Sequence, residues 1–351
     1  MSATLHVTNG DHAAEALARS GLPGDVLAWR DVLHDGPVPP DDDCVSFRRV
    51  RAQFLAARHW TTESDVVKDL TTRDARLDAA GARDRVVLWF EPDLYDQLQL
   101  IQALAQLSRR HDDERPQLSI VPADVFLGPL APERFSPLYE DRRPIRAGDL
   151  ALARTAWRAF TSSTPDALVA LIARLDGEID ARTYAADAAV RLPHLAGALH
   201  RMLEEYPDAD TGLTRSERQI CEALADGAMP LSTLFRAAHG ASESWAWLGD
   251  SSFAWYVQRL SDLPTPLVTD GNGLRVRAPT SGAHSTRFWE QDVQLTSFGL
   301  DVVHARADTV SVNGIDRWIG GAHLTAQRHW RWDRRLQCTV KLPNSNQTSG
   351  G

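Results

Sequence analysis

The sequence predicts an N-terminal α/β domain with a mostly parallel, Rossmann-like sheet, then a helical region and a winged-helix-like C-terminal domain. Three observations carry this. Short β-rich runs alternate with helical patterns over the first 145 residues, the signature of βαβ units. Residues 146–210 show helical periodicity and no strand pattern. After residue 211, three helical segments precede a hairpin signal, the order of a winged helix-turn-helix. The expected boundaries are therefore 1–145, 146–210 and 211–342, with 343–351 having the composition of a disordered tail.

The elements follow in order. TLHVTN (4–9) reads as the first strand. Gly10 and Asp11 break it, and His12–Gly21 reads as a helix. GDVLAWRDVL is a second apolar run, closed by the Pro/Gly/Asp loop HDGPVPPDDD. Helices are expected over 46–60 and 63–80, a strand at Arg85–Phe90, a helix at Leu94–Arg109 and a strand at Gln117–Pro122. Pro207–Gly212 reads as a linker. Thr214 and Glu217 form a capping box that opens a helix ending at Asp226-Gly227. Leu231–His239 is a short second helix. Ser251 or Ser252 caps a third, with Phe253, Tyr256, Val257 and Leu260 on one face. Hairpins are expected around Asp270–Gly273 and around Asn313-Gly314, with LTSFGLDVV between them as a helix.

Composition narrows the function classes. The chain has 351 residues, 43% hydrophobic and 24% charged, and a net charge of -9. That charge, most of it in the first 150 residues, disfavours a nucleic-acid partner held by phosphate contacts. Cys44, Cys221 and Cys338 form no CxxC pair, which excludes a zinc ribbon or a thioredoxin-like motif. No apolar run approaches the length of a membrane span, and MSATLHVTNGD lacks the features of a signal peptide, so the expectation is cytoplasmic.

Three strands end in polar residues, where open α/β sheets bind ligands. The first ends at Asn9, Gly10 and Asp11. The second is followed by Arg30, Asp31, His34, Asp35 and Gly36. The third runs into Glu91, Asp93 and Asp96, with Gln97 behind. Convergence of these groups supplies carboxylates, an imidazole and a guanidinium, a kit for acid–base chemistry or for a divalent cation. Helix capping explains Asp93 and Asp96 without any chemistry, and Asp11 could cap the first helix in the same way. Glu91 precedes a proline, is extended and is not needed as a cap, so it stands out. His34 sits in a loop after a strand end, where function concentrates. With one glycine, Asn9-Gly10-Asp11 is neither a dinucleotide fingerprint nor a P-loop.

LHVTNGD, DVLAWRDVLHDGPVP and VLWFEPDLYDQLQL resemble the signature blocks of a bacterial family of unknown function. Its N-terminal α/β domain carries an N-G-D turn, a W-x-D-x-L-x-x-G-P block and a W-F-E-x-D-x-x-D-Q block. LTRSERQI and an FLGP segment extend the resemblance over most of the chain. It implies an architecture and a set of candidate positions: Asn9, Asp11, Trp29, Asp31, His34, Gly36, Glu91, Asp93, Asp96 and Gln97.

The expected function is binding of a phosphorylated or nucleotide-like small molecule at the strand ends, with hydrolysis or transfer. Glu91 and His34 would be the acid–base pair. Asp31 and Asp93 would orient groups or hold a cation. Asn9, Gly10, Asp11, Arg30 and Gln97 would contact the ligand. The alternative is a ligand-responsive regulator that contacts DNA or RNA through the winged helix. Its surface would be Ser252, Trp255, Gln258, Arg259 and Asp262 on the third helix, Arg275 and Arg277 on the wing, and the tail arginines Arg317, Arg328, Arg331, Arg334 and Arg335 among Trp318, Trp330 and Trp332. A protein–protein adaptor is the third reading.

Overall fold

In the computed structural model, residues 3–40, 43–183, 192–280 and 286–341 are described. The strand RVVLWF is buried on both faces, as near-continuous apolar runs are in a covered parallel sheet. It is β3 (Arg85–Phe90), in the middle of a five-stranded sheet of order β2-β1-β3-β4-β5. β1 (Thr4–Asn9), β2 (Asp25–Trp29), β3 and β4 (Gln117–Pro122) run parallel, and the two-residue β5 (Arg143–Pro144) is antiparallel at one edge.

The helices of this part are α1 (Asp11–Ala18), α2 (Cys44–Ala56), α3 (Glu63–Asp78), α4 (Leu94–Leu107), α5 (Phe135–Glu140), α6 (Ala147–Phe160) and α7 (Asp166–Thr183), and α8 (Leu195–Leu203) runs across the division between the chain's two units. Side chains alternate across the strands. Val87 and Trp89 pack with Ala13 and Leu17 of α1, Val121, Leu127 and Phe135. On this face His6 accepts a hydrogen bond from the Trp89 indole at 3.1 Å and lies edge-on to Tyr139 of α5. On the opposite face Trp29 donates to Gln102 of α4 and lies under the guanidinium of Arg73 of α3. The sheet is thus covered on both sides.

The chain divides into two units: residues 1–56 with 62–199, and residues 57–61 with 200–351. α6 and α7, expected in a separate connector, belong to the first unit, where α6 packs on α4. The helix expected to reach residue 60 stops at Ala56, and His59 takes a left-handed φ of 57°.

The second unit contains α9 (Arg215–Ala223), β6 (Met229–Pro230), α10 (Leu231–Phe235) with a π turn over Arg236–Gly240, α11 (Asp250–Asp262), β7 (Val268–Asp270), α12 (Thr286–Glu290), β8 (Asp292–Leu295), α13 (Ser297–Val303), α14 (Thr309–Asn313), β9 (Asp316–Ile319), β10 (Ala322–Thr325), β11 (Trp330–Asp333) and β12 (Cys338–Lys341). β6, β8 and β7 form an antiparallel sheet in that order, and β9–β10 and β11–β12 form two further pairs. The Thr214/Glu217 capping box is present, with both reciprocal bonds.

Several expectations need correction here. α11 is entered from Gly249, and Ser252 is buried rather than a cap or a contact surface. The turn at Asp270–Gly273 closes on the Asp270 carboxylate, which accepts the N–H groups of Asn272 and Leu274, but among the described residues 274–280 no returning strand follows. The Val276 and Ala278 N–H groups instead bond to Ser261 and Gln258 of α11, and β7 pairs with β8. Asn313-Gly314 ends a helix: the Asn313 side chain holds Thr265 through its N–H and C=O, and the hairpin lies one step later, at Gly320 between β9 and β10. The expected linker at 207–212 is built into this unit, because buried Asp208 accepts the N–H groups of Asp210 and Thr211. The tail at 343–351 lies outside the described residues. Among the described residues no helix is long and apolar enough to cross a membrane.

Candidate functional site

In the first unit β1, β2 and β3 run in one direction, with Asn9 opposite Trp29 and Thr8 opposite Trp89. Their carboxyl ends therefore open on one edge of the sheet. Asn9 projects to the α4 face and donates to Asp96 Oδ1 at 2.6 Å. Past Phe90 the chain turns through Glu91-Pro92-Asp93. Asp93 is the N-cap of α4, its carboxylate accepting the Asp96 N–H at 2.9 Å, as the capping reading required. Asp96 points back from the first turn and accepts the Glu91 N–H. The Gln97 side chain donates to the Glu91 carbonyl at 2.8 Å, and its own oxygen is buried with no hydrogen-bond partner.

Glu91 has a structural task that the sequence did not reveal. Its Oε1 accepts the Leu127 N–H at 2.7 Å, tying the loop after β4 to the end of β3, and it also bonds to Asn9. The connection spans 36 residues and has no local signature.

Glu91, Asp93 and Asp96 are all buried, and one oxygen from each lies within 4.8 Å of the other two. None of the three forms an ion pair among the described residues. Burial disfavours the charged form, and neighbouring like charges add to that. The Asp93 carboxyl is accordingly pushed up to about 8, first by burial and then by Glu91. Asp96 is raised well above the carboxylate range by burial, Asp93 and Glu91, and Glu91 is raised by burial. Such a cluster stores unfavourable electrostatics that a bound cation, a shared proton or a donor group on a ligand would relieve.

The second-strand residues divide. Asp31 is fully buried against Arg51 of α2, with Nη2 2.6 Å from Oδ1. The same guanidinium donates to the carbonyls of Val32, Asp35 and Pro37, so one arginine shapes the whole 31–37 loop. Gln99 of α4 adds a bond to the Asp31 carbonyl. Gly36 takes a φ of +74°, and a Cβ there would meet the Phe54 ring at 2.4 Å. This loop carries His34, which is buried and edge-on to Tyr95, the residue preceding Asp96 on α4. Arg51 escaped the sequence reading because it looks like one more polar residue in a charged helix.

The first-strand turn divides too. Gly10, with φ +41°, is the N-cap of α1, and no side chain caps that helix. Asp11 is therefore not the cap that the sequence allowed. Its exposed carboxylate pairs with Arg30, which also reaches Asp69 of α3 at 2.8 Å. The structure thus brings together Asn9, Glu91, Asp93, Asp96 and Gln97. It sets His34 against α4, commits Asp31 to Arg51, and leaves Asp11 and Arg30 on the surface.

In the second unit most arginines of the nucleic-acid reading are already occupied. Arg259 and Arg317 pair with Glu217, Arg275 and Arg277 with Asp262, and Arg334 with Asp210. Arg331 is buried and held by Asp308 at 2.9 Å and by the Asp208 carbonyl. Trp330 and Trp332 are buried, so they are not the exposed stacking surface the regulator reading needs.

No family model matches the chain, and no curated protein matches it.

Proposed function

We propose that the protein binds a phosphorylated or nucleotide-like small molecule at the carboxyl ends of β1 and β3, and hydrolyses it or transfers a group from it. The observation that carries this reading is the buried, unpaired carboxylate cluster of Glu91, Asp93 and Asp96 at the end of a parallel sheet. Two features support an anionic ligand beside it. α1 has no side-chain cap, and nothing lies within 4 Å of where a Gly10 Cβ would stand, so its first N–H groups are not taken by a capping side chain. Buried His34 and Glu91 form the acid–base pair of this proposal. Asn9 and Gln97 position the carboxylates and contact the ligand. The bacterial family membership suggested by the three sequence blocks, and a cytoplasmic location, belong to the same proposal.

For the second unit we propose a winged-helix arrangement. The order α9, β6, α10, α11, β7, β8 with sheet order β6-β8-β7 supports it. Its arginines being paired with acids favours a packing or partner-binding role over DNA contact.

The test is a thermal-shift screen against nucleotides and sugar phosphates, comparing wild type with Glu91→Gln and His34→Ala. The proposal expects selective stabilisation of wild type by one chemical class, lost or weakened in both variants. Stabilisation equal in all three proteins would contradict it.

A further inference from the structure

We propose that Glu91, Asp93 and Asp96, together with the side-chain oxygen of Gln97, bind one hard divalent cation of the Mg²⁺ or Mn²⁺ kind. The proposal rests on reading the strand-end cluster as the ligand site. It names what that site holds before the phosphorylated ligand arrives.

The donor set is oxygen only, which suits Mg²⁺, Mn²⁺ or Ca²⁺ and not the imidazole and thiolate preferences of zinc or copper. Two oxygens on one ion lie at most twice the metal–oxygen distance apart, about 4.2 Å for Mg²⁺ and about 5 Å for Ca²⁺. One oxygen from each carboxylate lies within 4.8 Å of the other two, so the set spans one ion, and Mg²⁺ or Mn²⁺ draws it together by a few tenths of an ångström. Each carboxylate is oriented by two hydrogen bonds. Glu91 takes Leu127 N–H and Asn9, Asp93 takes the N–H groups of Asp96 and Tyr95, and Asp96 takes Asn9 and the Glu91 N–H. A carboxylate offers about four lone-pair positions, so each retains acceptor capacity after these bonds. The set is preorganised by backbone and not yet saturated.

An acidic cluster alone would not make a site. The second observation is Gln97. Its residue is 2% exposed, its nitrogen is committed to the Glu91 carbonyl, and its oxygen has no partner. A buried amide oxygen without a donor is costly. Here it lies on the residue following Asp96, against the backbone of Glu91, and a cation satisfies it as a carbonyl ligand. Mg²⁺ and Mn²⁺ commonly sit on one or two carboxylates and complete their shell with water and substrate phosphate.

The experiment is Mn²⁺ titration of the full-length, metal-stripped protein, read by the loss of the free-ion electron paramagnetic resonance signal. Glu91→Gln, Asp93→Asn and Gln97→Met are run in parallel, each checked for folding by circular dichroism. The first two keep the shape of the group, and Asn is as good an N-cap as Asp. The expected result is one Mn²⁺ per chain, displaced by Mg²⁺, with affinity reduced at least about tenfold in Glu91→Gln and Asp93→Asn. Failure of wild type to retain Mn²⁺ overturns the proposal. So does retention with unchanged affinity in every folded variant, since the ion would then lie elsewhere. The two proposals fail separately. A panel compound that stabilises wild type equally in chelator removes the cation and keeps the ligand site. Mn²⁺ bound at the cluster with no panel compound stabilising the protein does the reverse.

Discussion

Arg51 is the residue whose replacement should do the most damage for the least change in composition. Both it and Asp31 have fully buried side chains, 2.6 Å apart at closest approach. Its guanidinium spends its donors on both oxygens of Asp31 and on three backbone carbonyls of the 32–37 loop. Replacing it by methionine leaves a buried carboxylate with no countercharge, which costs about 3–5 kcal/mol, a large share of the roughly 5–15 kcal/mol of a typical domain. Asp31→Leu/Arg51→Met removes the orphaned charge as well. Replacing both partners of a buried pair is often neutral or stabilising, and here the three carbonyls still lose their donor. The double variant should therefore be more stable than Arg51→Met alone, yet below wild type. Urea denaturation of these three proteins and of Asp31→Leu gives the cycle. A cost below about 1 kcal/mol for Arg51→Met, or strictly additive effects, would refute the claim that this pair organises the loop carrying His34.

Three further outcomes follow from the geometry. Gly36→Ala should lose about 2 kcal/mol or more by denaturant melts, because the backbone is left-handed and the new methyl would meet the Phe54 ring; an unchanged midpoint would show that the loop is not held as described. His239 accepts the N–H groups of Trp247 and Leu248 through Nε2, and its pKa is lowered to about 4, mainly by burial. A lowered histidine contributes stability that is fully present above about pH 6.5 and is lost as pH falls towards 4, some 3 kcal/mol in all; His239→Gln should flatten the stability-against-pH curve over that window, and an unchanged slope would contradict it. Arg331→Ala should lower stability by breaking the Asp308 contact without creating or abolishing any salt-dependent nucleic-acid affinity; a filter-binding assay in which wild type binds and the variant does not would revive the regulator reading.

The parallel sheet was legible because β3 reads as an unbroken apolar run buried on both faces and because short β-rich runs alternate with helical patterns on either side of it. β1, β3 and β4 appear at the bounds their patterns imply, and Asp93 and Thr214 cap helices through local spacing alone. What the sequence hid was long-range. The Glu91 contact to Leu127, the Arg51 clasp on the 31–37 loop and the placement of α6 on α4 join residues far apart in the chain. The two misplaced hairpins have a common cause. Asp-Gly-Asn-Gly and Asn-Gly do make tight turns, but a turn signal does not say which backbone comes next to the strand. At 274–278 the side chains of α11 satisfy the backbone, and at Gly314 a helix ends.

The central claim is that ligand binds at the ends of β1 and β3. Amide hydrogen exchange, measured on wild type with and without the best stabilising phosphorylated compound and Mn²⁺, tests it most directly. The account predicts slowed exchange at Gly10–Ala13 and Tyr95–Leu98, with Leu127 following through Glu91. Protection confined to α11 and the 270–278 segment, with the strand-end amides unchanged, would contradict it.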